Sequence, residues 1–91
     1  SIIIVIATDA PVDARQLKRM TMRSMSGLAR TGSAMTNASG DYAIAFSTSA
    51  DVRIKTADNN QNPRSVKLLS NDAMSPLFLA VIEAAEESIY N

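Results

Sequence analysis

The sequence of 91 residues contains no cysteine, no histidine and no tryptophan, and aromatic residues make up only 4% of it. Without cysteine the chain forms no disulfide and offers no thiol nucleophile or thiolate metal ligand. Without histidine it lacks the usual general base, the usual zinc ligand and any Ser–His triad of its own. A base within this chain must therefore be a carboxylate, a lysine or a terminal amine.

The sequence also has no excess charge of either sign. Nine Lys and Arg residues balance nine Asp and Glu residues, so the formal net charge is zero. This balance gives no electrostatic argument for a nucleic-acid partner, and we expect none. The opening apolar run Ile2–Ala7 is far shorter than the roughly 20 residues of a membrane span and follows no basic segment. We therefore expect neither a membrane span nor a signal peptide, and a cysteine-free chain fits cytoplasm and periplasm alike.

The first half of the chain has the patterns of a strand followed by a helix. The β-branched run Ile2–Thr8 predicts a strand buried on both faces, although a chain this short can hardly cover both. Asp13 and Gln16 have the spacing of a capping box and predict the start of a helix, which Gly32 is placed to end. The apolar stripe of this helix is predicted to be Leu17, Met20, Ser24 and Leu28.

The second half predicts two further strands and a second helix. Asp41–Ser47 alternates bulky and small residues, which is typical of a strand between two different layers. Asp51–Lys55 predicts a short third strand. A helix is predicted over Ser75–Tyr90, with Ser75 as its N-cap and Pro76 as its first residue. This order of elements predicts one layered α/β domain over residues 1–91.

Ser1 precedes the first predicted strand and suggests a nucleophile that needs no histidine. The α-amine of a terminal serine is partly neutral at physiological pH and can accept the proton of its own Oγ, directly or through one water. It can later pass that proton to a leaving amine, as in enzymes with a terminal nucleophile. The alternative is an ordinary terminus, such as one left by removal of the initiator methionine.

A polar cluster, Asn37–Asp41, leads into the second predicted strand. These residue types commonly form turns, so a plain turn is one interpretation. In the other, Ser39 and Asp41 accept and relay hydrogen bonds around the Ser1 amine, because alternate residues of an extended segment share one side. Gly40 then allows its backbone N–H to approach a developing oxyanion.

Together these residues resemble the β-chain of the self-processing aminopeptidases of the β-peptidyl aminopeptidase and L-aminopeptidase/D-esterase family. The resemblance covers most of the chain, and the order and spacing of the matching segments make it specific. These segments are residues 1–11, 16–19, 27–33, 37–41, 45–48 and 86–91.

The resemblance implies that a precursor cleaves itself before Ser1 and leaves a larger α-chain beside this β-chain. It implies that Ser1 is the nucleophile, that Ser39 and Asp41 support it, and that the α-chain supplies further oxyanion and substrate-ammonium contacts. The implied fold is a four-layer α/β/β/α sandwich, commonly assembled as four αβ pairs, with no metal and no organic cofactor. The implied reaction is hydrolysis of the amide or ester bond after the first residue of small peptides or amino-acid amides, including β- and D-amino-acid derivatives.

Two departures from the family pattern and two rival functions stand beside this interpretation. Asp41 occupies a position where some relatives carry Glu, and family β-chains run a few tens of residues beyond the Tyr90–Asn91 pair. One rival is a self-processing acyltransferase of the ornithine acetyltransferase type, which uses a terminal Thr where this chain has Ser1. The other is a non-catalytic subunit that completes a partner's sandwich.

Overall fold

The protein is represented by a computed structural model that describes residues 1–32, 40–54 and 65–90. Strand β1 (Ile3–Thr8) is followed by helix α1 (Ala14–Arg30), strand β2 (Tyr42–Ser47), a 3₁₀ turn (Asn71–Ala73) and helix α2 (Met74–Tyr90). The predicted α/β class is confirmed, as are both predicted strands that flank α1.

The two strands form a parallel sheet in which one face is covered and the other is open. Along both strands exposed and half-buried residues alternate, so the half-buried set faces the helices. On the open face Ile3 is 73% and Val5 is 63% exposed. The prediction that β1 is buried on both faces is therefore wrong for this chain alone, because both helices pack on the same side of the sheet. The buried core consists of Val12, Met20, Met74, Phe78 and Val81.

Helix α1 begins and ends where its local signals predict. The Gln16 N–H donates to Asp13 Oδ1 at 2.9 Å, and the Asp13 N–H donates to Gln16 Oε1 at 3.0 Å, which completes the capping box. After the helix, Gly32 has a φ of 91° and its N–H donates to the carbonyl of Ala29. Met20, Ser24 and Leu28 of the predicted stripe are buried, and Leu17 is half-buried.

Two arginine residues of α1 contact helix α2. The guanidinium groups of Arg19 and Arg23 lie 4.9 Å and 4.6 Å from the centre of the Phe78 ring. Each cation therefore covers an aromatic face that closes the core, an arrangement that combines cation–π attraction with packing of the arginine stem.

Two predictions about the second half are wrong. Residues 51–54 form no strand, because the N–H groups of Val52 and Arg53 donate to carbonyls three residues earlier in a turn; Lys55 lies outside the described residues. The second predicted helix is confirmed as α2, but it begins at Met74 and not after a Ser75 cap, because the 3₁₀ turn runs directly into it. Pro76 is the third helical residue, where an N–H has no partner within the helix in any case.

Candidate active site

The parallel pairing of β1 and β2 brings together residues that lie 39 positions apart in sequence. Ile3 pairs with Tyr42, and the register continues without a bulge to Thr8 and Ser47. One step before the first pair, the Tyr42 N–H donates to the Ile2 carbonyl at 2.9 Å. The residues that precede the two strands therefore meet at one edge of the sheet.

The hydroxyl of Ser1 is held at this edge by a backbone donor. The Gly40 N–H donates to Ser1 Oγ at 3.1 Å, and Ser1 itself is exposed to solvent. A fixed N–H dipole directed at an oxygen stabilises negative charge that develops there. The arrangement can therefore stabilise Ser1 Oγ as it loses its proton, and it leaves the oxygen open to a ligand.

The carboxylate of Asp41 anchors the backbone that carries Ser1. The Ile2 N–H donates to Asp41 Oδ1 at 3.1 Å in a partly buried contact. This bond fixes the peptide between Ser1 and Ile2, and it places a carboxylate within one residue of the Ser1 amine. The sequence predicts Asp41 in a relay around the amine itself, and this bond from the next N–H along the chain places its carboxylate beside that amine. The second predicted relay residue, Ser39, lies outside the described residues.

The side chains of Ser1 and Tyr42 both approach Gly40. A Cβ atom placed on Gly40 would lie 3.6 Å from Tyr42 Cε2, 3.8 Å from Ser1 Oγ and 4.0 Å from the Tyr42 hydroxyl. The two side chains therefore flank the same point on the open face of the sheet. Sequence reasoning assigned Tyr42 only to a strand, yet its position two residues after Gly40, on the same face of an extended segment, was a usable signal.

The other chemical features of the described part of the chain are few. Among the residues in the ranges given above, no group of three or more Asp, Glu, His or Cys side chains is arranged to hold a metal ion. No helix in those ranges is both long and apolar enough to cross a membrane. Within the described residues, the groups at this site are the Ser1 hydroxyl, the Asp41 carboxylate, the Tyr42 phenol and the backbone.

The chain is similar to known proteins along its full length. The family model of peptidase family S58 matches residues 1–91 of this chain. A β-peptidyl aminopeptidase, BapA, from Sphingosinicella microcystinivorans is 43% identical over all of this chain, which covers 22% of that protein. A crystal structure from Pyrococcus horikoshii superimposes with a TM-score of 0.89 at 49% identity, covering 100% of this chain and 25% of that one.

A second solved structure carries a functional description. The L-aminopeptidase D-Ala-esterase/amidase of Ochrobactrum anthropi superimposes with a TM-score of 0.84 at 36% identity, over 96% of this chain and 23% of that one. That enzyme is described as a prototype of the serine aminopeptidases and a variant of the Ntn-hydrolase fold. The chain therefore spans about a quarter of the length of the proteins that it matches.

The fold, the site and these comparisons define a class of protein. The chain is a small α/β domain with an exposed serine at the end of a sheet, and it is similar to part of several aminopeptidases. More particularly, the chain belongs to peptidase family S58.

Proposed function

We propose that this chain is the catalytic β-chain of a serine aminopeptidase in which Ser1 becomes an N-terminal nucleophile. The observation that carries the proposal is the 3.1 Å hydrogen bond from the Gly40 N–H to Ser1 Oγ, in a chain of a peptidase family. We assign the Ser1 α-amine as the base that accepts the Ser1 proton, because it lies on the same residue as Oγ and this chain contains no histidine.

The reaction proceeds through an acyl-enzyme. Ser1 Oγ forms a bond to the carbonyl carbon of the substrate's first residue while its proton moves to the Ser1 α-amine. The carbon–nitrogen bond then breaks, and the leaving amine takes that proton from the Ser1 ammonium. Water attacks the resulting ester, with its proton passing through the same amine, and releases the first residue while the Ser1 hydroxyl is restored. An ester substrate reacts by the same steps with an alcohol as the leaving group.

The remaining site residues orient and stabilise these steps. The oxyanion forms on the carbon that is bonded to Ser1 Oγ. The Gly40 N–H, which is already directed at Oγ, therefore lies close to the oxyanion and can stabilise it. Asp41 holds the Ser1–Ile2 peptide through the Ile2 N–H and so orients the amine. Ser39 completes the set as a hydrogen-bonding partner of the amine, as the resemblance to the family implies.

We further propose that the chain is produced by self-cleavage before Ser1 and remains bound to a larger α-chain. The open face of the sheet supports this partner, because Val5 is 63% and Ile44 is 61% exposed beside the equally apolar Ile3. Single protein chains rarely leave such a contiguous apolar patch in water, and a second sheet packed face to face would cover it. The result is a four-layer α/β/β/α sandwich.

The side of β1 that does not pair with β2 supports the same partner. A groove of about 640 Å³ runs between β1 and α2, and its walls include Ile4, Leu77, Val81 and Ala84. β2 pairs with only one edge of β1 in the described structure, so the other edge retains its hydrogen-bonding groups for a further strand. The chain also covers only 22% to 25% of its relatives' length, which leaves ample chain to fill both surfaces.

The names of the relatives indicate the substrates to test. One relative is a β-peptidyl aminopeptidase and another is an L-aminopeptidase with D-Ala-esterase and amidase activity. We propose that small peptides, amides and esters with L-, D- or β-amino-acid first residues form the substrate class. No metal or organic cofactor takes part in the proposed steps. The proposed assembly is four αβ pairs, which native mass spectrometry of the purified enzyme measures directly.

The decisive experiment compares the full-length precursor with its Ser1→Ala variant. Denaturing intact-mass analysis of the wild type is expected to give two chains, the smaller beginning at Ser1, and the purified complex is expected to release the first residue of amino-acid p-nitroanilides. Ser1→Ala is expected to remain one chain without activity. Ser75→Ala, which removes an exposed serine hydroxyl at the start of α2, serves as the matched control and should be cleaved and active.

The same experiment separates the rival functions. A cleaved and active Ser1→Ala protein contradicts the assignment of the nucleophile. An inert complex with an intact Ser1 amine favours a non-catalytic subunit, and transfer of the acyl group to an amino acid in preference to water favours an acyltransferase.

A further inference from the structure

The side chain of Tyr42 lies next to Gly40, as does the hydroxyl of Ser1. The ring carbon Cε2 lies 3.6 Å, and the hydroxyl 4.0 Å, from the Cβ position of Gly40, while Ser1 Oγ lies 3.8 Å from the same point. Because residue 40 has no side chain, a gap about the size of a methyl group remains at this point. The Tyr42 ring is therefore one border of the space immediately next to the hydroxyl.

The ring surface is available for contact with a ligand. Tyr42 is 68% exposed on the open face of the sheet, and its hydroxyl has no hydrogen-bond partner within the ranges that the structure describes. A carbonyl carbon poised for attack lies about 3–3.5 Å from the attacking oxygen. Groups attached to that carbon therefore reach the space that Tyr42 borders.

We propose that the Tyr42 ring is the wall of the subsite that receives the side chain of the substrate's first residue, whose carbonyl Ser1 attacks. This inference rests on the proposed function and adds a specificity-determining residue to it. An aromatic face offers a broad apolar contact surface at small entropic cost, and it carries no charge. The Tyr42 ring therefore favours substrates with an aliphatic or aromatic first residue over those with a small one, because a larger apolar side chain contacts more of the ring.

The test uses the full-length, self-cleaved enzyme and the p-nitroanilides of phenylalanine and alanine, which share one leaving group. The quantity measured is the ratio of kcat/KM for the phenylalanine substrate to kcat/KM for the alanine substrate. Tyr42→Ala is expected to lower this ratio about tenfold, which is the discrimination that one or two apolar contacts in a pocket supply. Tyr42→Phe keeps the ring and is expected to change the ratio by less than about threefold.

Ile44→Ala is the matched control, because Ile44 is 61% exposed on the same face of the same strand, one step farther from Ser1. It is expected to leave the ratio unchanged within about threefold. Intact-mass analysis shows whether each variant has cleaved itself and so has folded. If Tyr42→Ala does not mature, Tyr42→Leu, which keeps most of the volume but no ring, takes its place.

Two results overturn the inference. One is an active Tyr42→Ala or Tyr42→Leu enzyme whose ratio equals that of the wild type. The other is a change that appears only when the leaving group is varied at a constant first residue. A wild-type enzyme that cleaves none of these substrates instead refutes the proposed function, so the two failures are distinguishable.

Discussion

The contact between the two helices depends on Gly27, and replacing this residue with alanine is a quantitative test of the packing. A Cβ atom at residue 27 would lie 2.6 Å from the Ile82 carbonyl oxygen and 2.7 Å from Ala85 Cβ. Ordinary contact begins at 3.4 Å. In a close-packed interior the helices must therefore separate by about 0.8 Å locally.

The expected cost follows from this displacement. Overpacking typically costs about 1–3 kcal/mol, and the upper end applies because the nearest atom, the Ile82 carbonyl oxygen, belongs to a helix backbone that cannot rotate away. Alanine regains about 1 kcal/mol over glycine through its helix propensity. We expect Gly27→Ala to lower the free energy of unfolding by about 2 kcal/mol. In a full-length protein about four times as long as this chain, the corresponding fall in unfolding temperature is about 2–3 °C.

Thermal unfolding of three variants of the full-length protein tests this reasoning. Ser26→Ala changes the neighbouring exposed residue and should unfold at or slightly above the wild-type temperature. Adding Ala85→Gly to Gly27→Ala removes the contact with Ala85 Cβ but keeps the shorter one with the Ile82 carbonyl oxygen and loses about 1 kcal/mol of helix propensity, so the double variant should recover no stability. An unfolding temperature for Gly27→Ala that equals that of Ser26→Ala would refute the proposed packing of α1 against α2.

Three further changes test the cap, the core and the site. Asp13→Ala removes the α1 cap and should lower the free energy of unfolding by about 1 kcal/mol in urea titrations; no change would contradict the capping bond. Phe78→Ala empties part of the core and should cost about 3–5 kcal/mol, measured in the same titrations; a cost below about 1 kcal/mol would contradict its burial. Asp41→Ala removes the acceptor for the Ile2 N–H, so kcat should fall about tenfold or more, whereas Asp41→Asn keeps an acceptor and should lose less. An unchanged kcat for Asp41→Ala would contradict the positioning role of Asp41.

The features that the sequence predicted well are those with local causes. The ends of α1 follow from the capping pair Asp13 and Gln16 and from Gly32, each of which acts within a few residues of the helix end. The strand at Tyr42–Ser47 follows from its alternation of bulky and small residues. These signals need no knowledge of the rest of the fold.

The features that it missed depend on distant partners or on competing local geometry. Residues 51–55 have the composition of a strand, but pairing is decided elsewhere, and the Val52 N–H finds its acceptor in the nearby Ser49 carbonyl. Ser75 and Pro76 have the residue types of a helix start, but a 3₁₀ turn had already begun the helix. Hydrogen-bonding groups take the partner that is available, and a residue pattern does not show which partner that is.

For the candidate site, the sequence predicted that Gly40 and Asp41 lie near Ser1, but not which atoms form the hydrogen bonds. The motif around Gly40 and Asp41 suggested partners for Ser1, whereas the bonds to Ser1 Oγ and to the Ile2 N–H follow from the register between two strands far apart in sequence. The place of Tyr42 beside Ser1 follows from the same register.

That register is in turn determined by side chains away from the chemistry. A shift of one residue would turn every side chain of a strand to the other face. In β2 such a shift would direct Ile44 and Phe46 at the helices, where Ala43 and Ala45 now leave just enough room. The small residues therefore exclude a shift of one residue, and the observed register places the Gly40 N–H on Ser1 Oγ. The packing of the sheet on its helices thus contributes to the geometry around Ser1.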